Sequence, residues 1–161
     1  MEEVYHDYLS LMGELSSDLA RLSDLAQQKI NAVHNNDLIA LDEVLKMEQA
    51  MSLSLRCLEQ RRQKLLAQLG GEGVPLGELP SQYPAELRPQ AKETVETLRQ
   101  SYQIYRSAAE SARITLECNL HQLEKAVADM GGSAGNAGYH AAGYGSVNVE
   151  PPKNMKTDFR A

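Results

Sequence analysis

The sequence predicts an all-α protein, an antiparallel bundle of three long helices with coiled-coil-like packing and a flexible C-terminal tail. Apolar residues recur in alternating steps of three and four, the spacing that keeps one helix face against partner helices. Of the 161 residues, 42% are hydrophobic but only 5% are aromatic, which indicates a core of leucine, alanine and methionine. Glycine becomes frequent after residue 130, so we expect a bundle over residues 1–130 and a tail over residues 131–161.

The first two helices are predicted to form a hairpin. The first covers about residues 3–34, with one break in its apolar spacing at Lys29. Asn35, Asn36 and Asp37 follow, and residues of these types end one helix and cap the next. The apolar face of the first helix comprises Tyr8, Met12, Leu15, Leu19, Leu22, Ala26 and Val33.

The second helix, about residues 38–69, has apolar positions on two adjacent faces, so we expect helical neighbours on two sides. One face carries Leu38, Leu41, Leu45, Leu55, Leu66 and Leu69, and the other carries Val44, Met47, Met51, Leu58 and Leu65. Repeated glycines and prolines over residues 70–88 then exclude regular structure. This loop is long for a compact domain, and it is either a mobile excursion or a strap across the bundle end.

The third helix, about residues 89–130, is predicted to be the longest, at ~60 Å. Its apolar stripe comprises Ala91, Val95, Leu98, Tyr102, Tyr105, Ala109, Ala112, Leu116, Asn119, Leu123, Ala126 and Met130. Near the C-terminal end the apolar face widens to include Leu116, Leu120, Leu123, Val127 and Met130. This end either forms ordinary core against residues 26–33 and 38–45 or leaves an edge for another helix.

The tail has too few apolar residues to offset the entropy of ordering the chain. Against this polar background, three aromatic residues stand out: Tyr139, Tyr144 and Phe159. They are either incidental or part of a short linear motif that orders on docking.

The charge and hydropathy patterns exclude several classes of partner. The net charge is −6, and no dense cluster of lysine and arginine occurs, so nucleic acid and anionic membranes are poor candidates. The N-terminus lacks the basic and apolar regions of a signal peptide, and no apolar run approaches the ~18 residues of a membrane span. We expect a cytoplasmic protein that is not embedded in a membrane.

Catalytic and metal-binding patterns are also missing from the sequence. Glu3 and His6 form one Glu-x-x-His motif, but helical di-iron sites require two copies and two further carboxylates. We therefore expect no enzyme activity, no metal and no cofactor. Cys57 and Cys118 lie inside helical patterns, and we expect two free thiols that act as small core hydrophobes.

The second helix carries a specific ordered pattern. An Asp37-Leu38 opening is followed by a Glu48-Gln49-Ala50 centre, then by Arg62 with the paired Leu65-Leu66 and the terminal Gly70. This order, together with the long third helix and a tail that contains glycine and tyrosine, resembles the FlgN family of bacterial flagellar export chaperones.

The resemblance implies a cytoplasmic chaperone. It would bind the C-terminal segments of hook-filament junction proteins, prevent their premature association and deliver them to the cytoplasmic domain of the export-gate membrane protein. A client would then bury its apolar face on Leu116, Leu120, Leu123, Val127 and Met130. By similarity to family members that use a tail tyrosine, Tyr144 is the first choice for a client or gate contact, and Tyr139 is the second.

The heptad spacing equally fits a second class, a non-catalytic coiled-coil adaptor or a self-associating structural protein. A tight homo-oligomer without a free apolar edge would favour this class. A monomer or weak homodimer that binds a junction protein would favour the chaperone.

Overall fold

The structure is a computed structural model that describes residues 2–131. Its four helices are α1 (Glu2–His34), α2 (Leu38–Gln68), α3 (Leu79–Gln82) and α4 (Arg88–Asp129), and residues 2–131 contain no strand. The predicted all-α class is confirmed. The expectation that residues 70–88 contain no regular structure is wrong, because this segment contains the short α3, which adds a fourth helix to the three long ones. Pro80 lies in the first turn of α3, where its missing N–H removes no helical hydrogen bond.

The turn between α1 and α2 follows from its short polar residues. Asn36 has a left-handed backbone conformation with φ 54°, which asparagine tolerates better than most residues. The Asp37 N–H donates to the Ala32 carbonyl at 2.9 Å and ends α1. The Asp37 carboxylate accepts a hydrogen bond from the Ala40 N–H at 3.0 Å and caps α2. The tight turn therefore makes α1 and α2 antiparallel.

Helix α1 is the central element, since it packs against both α2 and α4. Its leucine-rich face is buried between these two neighbours, which explains why α1 supplies most of the fully buried side chains. Those with less than 2% exposure are Tyr8, Leu11, Met12, Leu15, Leu19 and Leu22 of α1, and Leu98 of α4. Burial of such side chains provides the main favourable contribution to folding.

The segment between α2 and α4 crosses the end of the bundle as a strap. Leu76, Leu79 and Tyr83 are buried in the main core cluster, and the Arg88 guanidinium donates to the Tyr83 carbonyl at 2.9 Å. The ring of Tyr83 lies 4.6 Å, centroid to centroid, from the ring of Tyr5 in α1. Of the two interpretations left open by the sequence, the structure supports the strap.

Several side chains expected in the core are exposed. Cys57 and Cys118 are free thiols, but both face solvent, so their expected role as core hydrophobes is wrong. Leu38 and Met47, assigned to the apolar faces of α2, are also exposed. Helical spacing shows which residues share a face, but each of these four lies where no neighbouring helix covers that face.

Candidate functional site

Helix α4 extends beyond the helix on which it packs. The contact between Tyr5 and Tyr83 places the start of α4 near the start of α1. Farther along, Tyr105 of α4 lies near Glu48, which pairs with Lys29 of α1. Helix α4 therefore runs parallel to α1. Helix α4 has 42 residues and α1 has 33. The last 17 residues of α4, which follow Ala112, are ~25 Å long.

Burial along α4 shows where its coverage ends. Ala112 is the last buried residue, and beyond it every side chain is half-buried or exposed. We call residues 113–130 the overhang. Its apolar residues Leu120, Leu123, Val127 and Met130 are 58%, 58%, 57% and 85% exposed, whereas Leu116 is half-buried. The four exposed side chains are therefore not ordinary core packed against residues 26–33 and 38–45.

The five residues predicted to bind a client lie on one face of the overhang. Leu116, Leu120, Leu123, Val127 and Met130 follow one another in steps of four and three, so the helix brings them together as a continuous strip. The strip continues the face that carries Leu98 and Tyr105 in the bundle. An exposed strip of this kind is the surface that amphipathic helices bind.

Ion pairs on the polar side support the helix at the start of the overhang. Arg113 pairs with Glu110 and with Glu117, each at 2.6 Å. Hydrogen bonding to Arg113 lowers the pKa of Glu110, and hydrogen bonding to Glu110 raises the pKa of Arg113. Pairs at three- and four-residue spacing stabilise a helix that has few tertiary contacts.

A buried ion pair links α1 and α2 near the base of the overhang. Lys29 of α1 and Glu48 of α2 pair at 2.6 Å, with side-chain exposures of only 11% and 5%. Burial raises the pKa of Glu48, although the hydrogen bond and charge of Lys29 act in the opposite direction. Burial and the nearby Glu48 charge raise the pKa of Tyr105 in α4. The ion pair joins α1 to α2 on the side of α1 that lies near Tyr105 of α4.

A second buried polar cluster lies near the strapped end. The Arg62 guanidinium donates to the two carboxylate oxygens of Glu59 at 2.8 and 2.9 Å and to the Tyr8 hydroxyl at 3.5 Å. Burial acts to lower the pKa of Arg62, but the hydrogen bonds and charges of Glu59 and Tyr8 together outweigh it, and the pKa is raised. Arg62 thus remains charged within the core and links α2 to α1.

The structure reveals positions that sequence reasoning missed. Leu38 and Ile39 are exposed at the hairpin end of the bundle, the end from which the overhang projects. The signal in the sequence was their position directly after the polar turn, where an apolar side chain lies at the end of the bundle. Lys29 breaks the apolar spacing of α1, yet it forms a buried ion pair. A charged residue on an otherwise apolar face was the signal for a buried partner.

Other predicted features have different outcomes. Tyr139 and Tyr144 lie outside the described residues. Within residues 2–131 no group of histidine, cysteine, aspartate or glutamate side chains is arranged to hold a metal ion. No helix in that part of the chain combines the length and apolar character needed to cross a membrane.

The fold and the overhang define an all-helical protein that presents an apolar helix face of the kind that binds amphipathic segments. The family model described as "FlgN protein" matches residues 1–145, so the chain belongs to the FlgN family. Membership implies the role of a flagellar export chaperone. No curated protein and no solved structure matches the sequence.

Proposed function

We propose that this protein is a cytoplasmic, non-catalytic chaperone that binds the C-terminal segments of flagellar hook-filament junction proteins. It prevents their premature association and delivers them to the cytoplasmic domain of the export-gate membrane protein. The observation that carries the proposal is the apolar strip of the overhang, which the rest of residues 2–131 leaves exposed. A chaperone for an aggregation-prone amphipathic segment requires such a surface.

The client-binding residues are Leu116, Leu120, Leu123, Val127 and Met130. A disordered segment that folds against them buries its own apolar face and so remains unavailable to other junction-protein copies. Ordering the segment costs part of the interaction free energy, which keeps binding reversible for a cargo that must be released. A reversible complex suits a protein that delivers a client.

The tail is assigned a second contact. Tyr144, and secondarily Tyr139, contacts the client or the export gate. The test is a chain truncated after Met130, compared with the full chain for binding to a junction-protein segment and to the cytoplasmic domain of the gate protein. Loss of either interaction supports the assignment. Unchanged binding to both partners would show it to be wrong.

The client site is tested by a paired substitution in the full chain. Leu120→Gln with Val127→Gln should abolish binding of a junction-protein C-terminal segment, measured by calorimetry, while circular dichroism shows unchanged helicity. The matched control is Ile104→Gln, since Ile104 is also on α4 and 62% exposed but lies outside the overhang. Retained binding by the double variant, or its loss of folding, would contradict the assignment.

Sedimentation separates this function from that of a coiled-coil adaptor or self-associating structural protein. The chaperone should be a monomer or a weak dimer that forms a defined complex with a junction protein. A tight homo-oligomer that buries the overhang and does not bind a junction-protein segment would favour the structural alternative.

A further inference from the structure

One heptad position on α4 changes its chemical character where the bundle ends. It carries arginine along the bundle and as far as Arg113, the first residue of the overhang, and it carries apolar side chains beyond that point. At intervals of seven residues the position is occupied by Arg99, Arg106, Arg113, Leu120 and Val127. Because positions seven apart lie nearly above one another on a helix, these side chains form one row.

The arginines in this row mark the edge of the surface that α1 covers. Arg106 and Arg113 are exposed and Arg99 is half-buried, even though Leu98, Tyr105 and Ala112, each one residue earlier, are buried. Helix α1 thus covers the stripe but leaves the row beside it open to solvent. An occupant of the overhang that covered only the continuation of the stripe that α1 covers would leave Leu120 and Val127 exposed.

An acidic row borders this surface. Glu96, Glu110, Glu117 and Glu124 lie at multiples of seven residues from one another, and Glu117 and Glu124 flank the apolar strip within the overhang. The opposite flank carries the small uncharged residues Asn119 and Ala126. Arg113 already pairs with Glu117 at 2.6 Å, so Glu124 is the carboxylate farther from that compensating charge.

We propose that the overhang binds a client helix that continues the line of α1 but lies offset toward Glu117 and Glu124, with lysine or arginine side chains of the client facing these two carboxylates. The inference rests on the proposed function and specifies the chemistry of the client. Continuity with the α1–α4 interface gives the direction of the bound helix, and the change from arginine to apolar residues gives the offset. The acidic row gives the charge of the facing edge.

A second copy of this chain fits the same surface less well. If two overhangs packed against each other in antiparallel orientation, the flanks bearing Glu117 and Glu124 would face their counterparts. Like charges placed opposite one another disfavour such a pairing. The acidic edge therefore favours a basic partner over self-association.

The test compares Glu124→Lys with Glu96→Lys in the full chain, because Glu96 is exposed and belongs to the same row but lies beside the covered part of α4. The probe is a synthetic C-terminal segment of a junction protein from the same bacterium. For Glu124→Lys we expect roughly tenfold slower association at low salt and a weaker salt dependence. Glu96→Lys should match the unsubstituted chain, and Glu117→Lys should show a smaller effect than Glu124→Lys. Replacing the facing basic residues of the segment with glutamate should restore binding to Glu124→Lys.

The outcomes separate this inference from the proposed function. If Glu124→Lys binds with unchanged rate and salt dependence while the Leu120 and Val127 double variant does not bind, the charged edge is wrong and the chaperone function stands. If neither variant affects binding, the client site itself is wrong. A homodimer that forms without the segment and is lost in the double variant would identify a second copy as the occupant and overturn the inference.

Discussion

Lys29 of α1 and Glu48 of α2 form an ion pair of 2.6 Å that is almost completely buried. Removing two charges from water is costly, and a buried pair offsets this cost only when its geometry is favourable. The pair also lies near Tyr105 of α4. Its position between α1 and α2 makes it suited to fixing the relative register of these two helices rather than to adding stability.

Breaking this pair should cost far more than replacing it. Lys29→Met leaves the Glu48 carboxylate buried without its partner, so we expect the free energy of unfolding to fall by about 3–5 kcal/mol. The double variant Lys29→Met/Glu48→Leu should recover most of this loss. Urea denaturation of Lys29→Met, Glu48→Leu and the double variant gives the coupling energy between the two side chains. Additive losses would show that the two side chains do not act as a pair.

The stability should depend on pH through Glu48. Burial raises its pKa above the usual 4.5, so the folded state favours the protonated carboxyl. The corresponding contribution to stability is present below pH 4.5 and is lost as the pH rises through the folded-state pKa. Replacing Glu48 with Gln should therefore make the slope of unfolding free energy against pH more positive in this range.

Urea denaturation across this pH range measures the slope, and carbon NMR of the Glu48 carboxyl measures its titration directly. Glu43→Gln, an exposed position on the same helix, controls for the loss of one negative charge. Titration of Glu48 at or below its usual pKa would contradict the prediction.

Two glycine substitutions should have opposite effects. Gly13 lies inside α1 with nothing within 4 Å of an added Cβ, so Gly13→Ala should stabilise the protein by about 0.5–1 kcal/mol. A Cβ on Gly71 would lie 2.9 Å from Leu66 Cδ1 and 3.1 Å from Leu79 Cδ2. Gly71→Ala should therefore destabilise the strap, by about 1–3 kcal/mol. Thermal unfolding of both variants checks the signs, and stabilisation by Gly71→Ala would show that the strap yields easily.

Leucine truncations should distinguish the bundle from the overhang. Leu98 is 1% exposed, and Leu98→Ala should lower the free energy of unfolding by about 2–5 kcal/mol. Leu123 belongs to the same stripe but is exposed, so Leu123→Ala should cost less than about 0.5 kcal/mol. Urea denaturation without client measures both values. A comparable loss for the two variants would mean that the overhang is covered in the free protein.

The sequence predicted that the five apolar residues of the candidate site lie on one helix face, because spacing alone determines which residues share a face. It did not predict the buried pair of Lys29 and Glu48, since pairing across helices depends on their register. Cys57 and Cys118 were wrongly assigned to the core for a related reason. A helical pattern does not show which of its faces a neighbouring helix will cover.

The sequence by itself determined the all-helical class and the apolar stripe on α4, because the spacing of side chains along a helix is a local property. It also determined the turn between α1 and α2, because Asn36 and Asp37 form that turn through local backbone preferences. The tertiary structure decided which part of that stripe is buried. The strap places the start of α4 beside the start of α1, and α1 ends at His34 while α4 continues to Asp129. The same spacing therefore yields core up to and including Ala112 and exposed surface in the overhang, because burial depends on where the neighbouring helix ends.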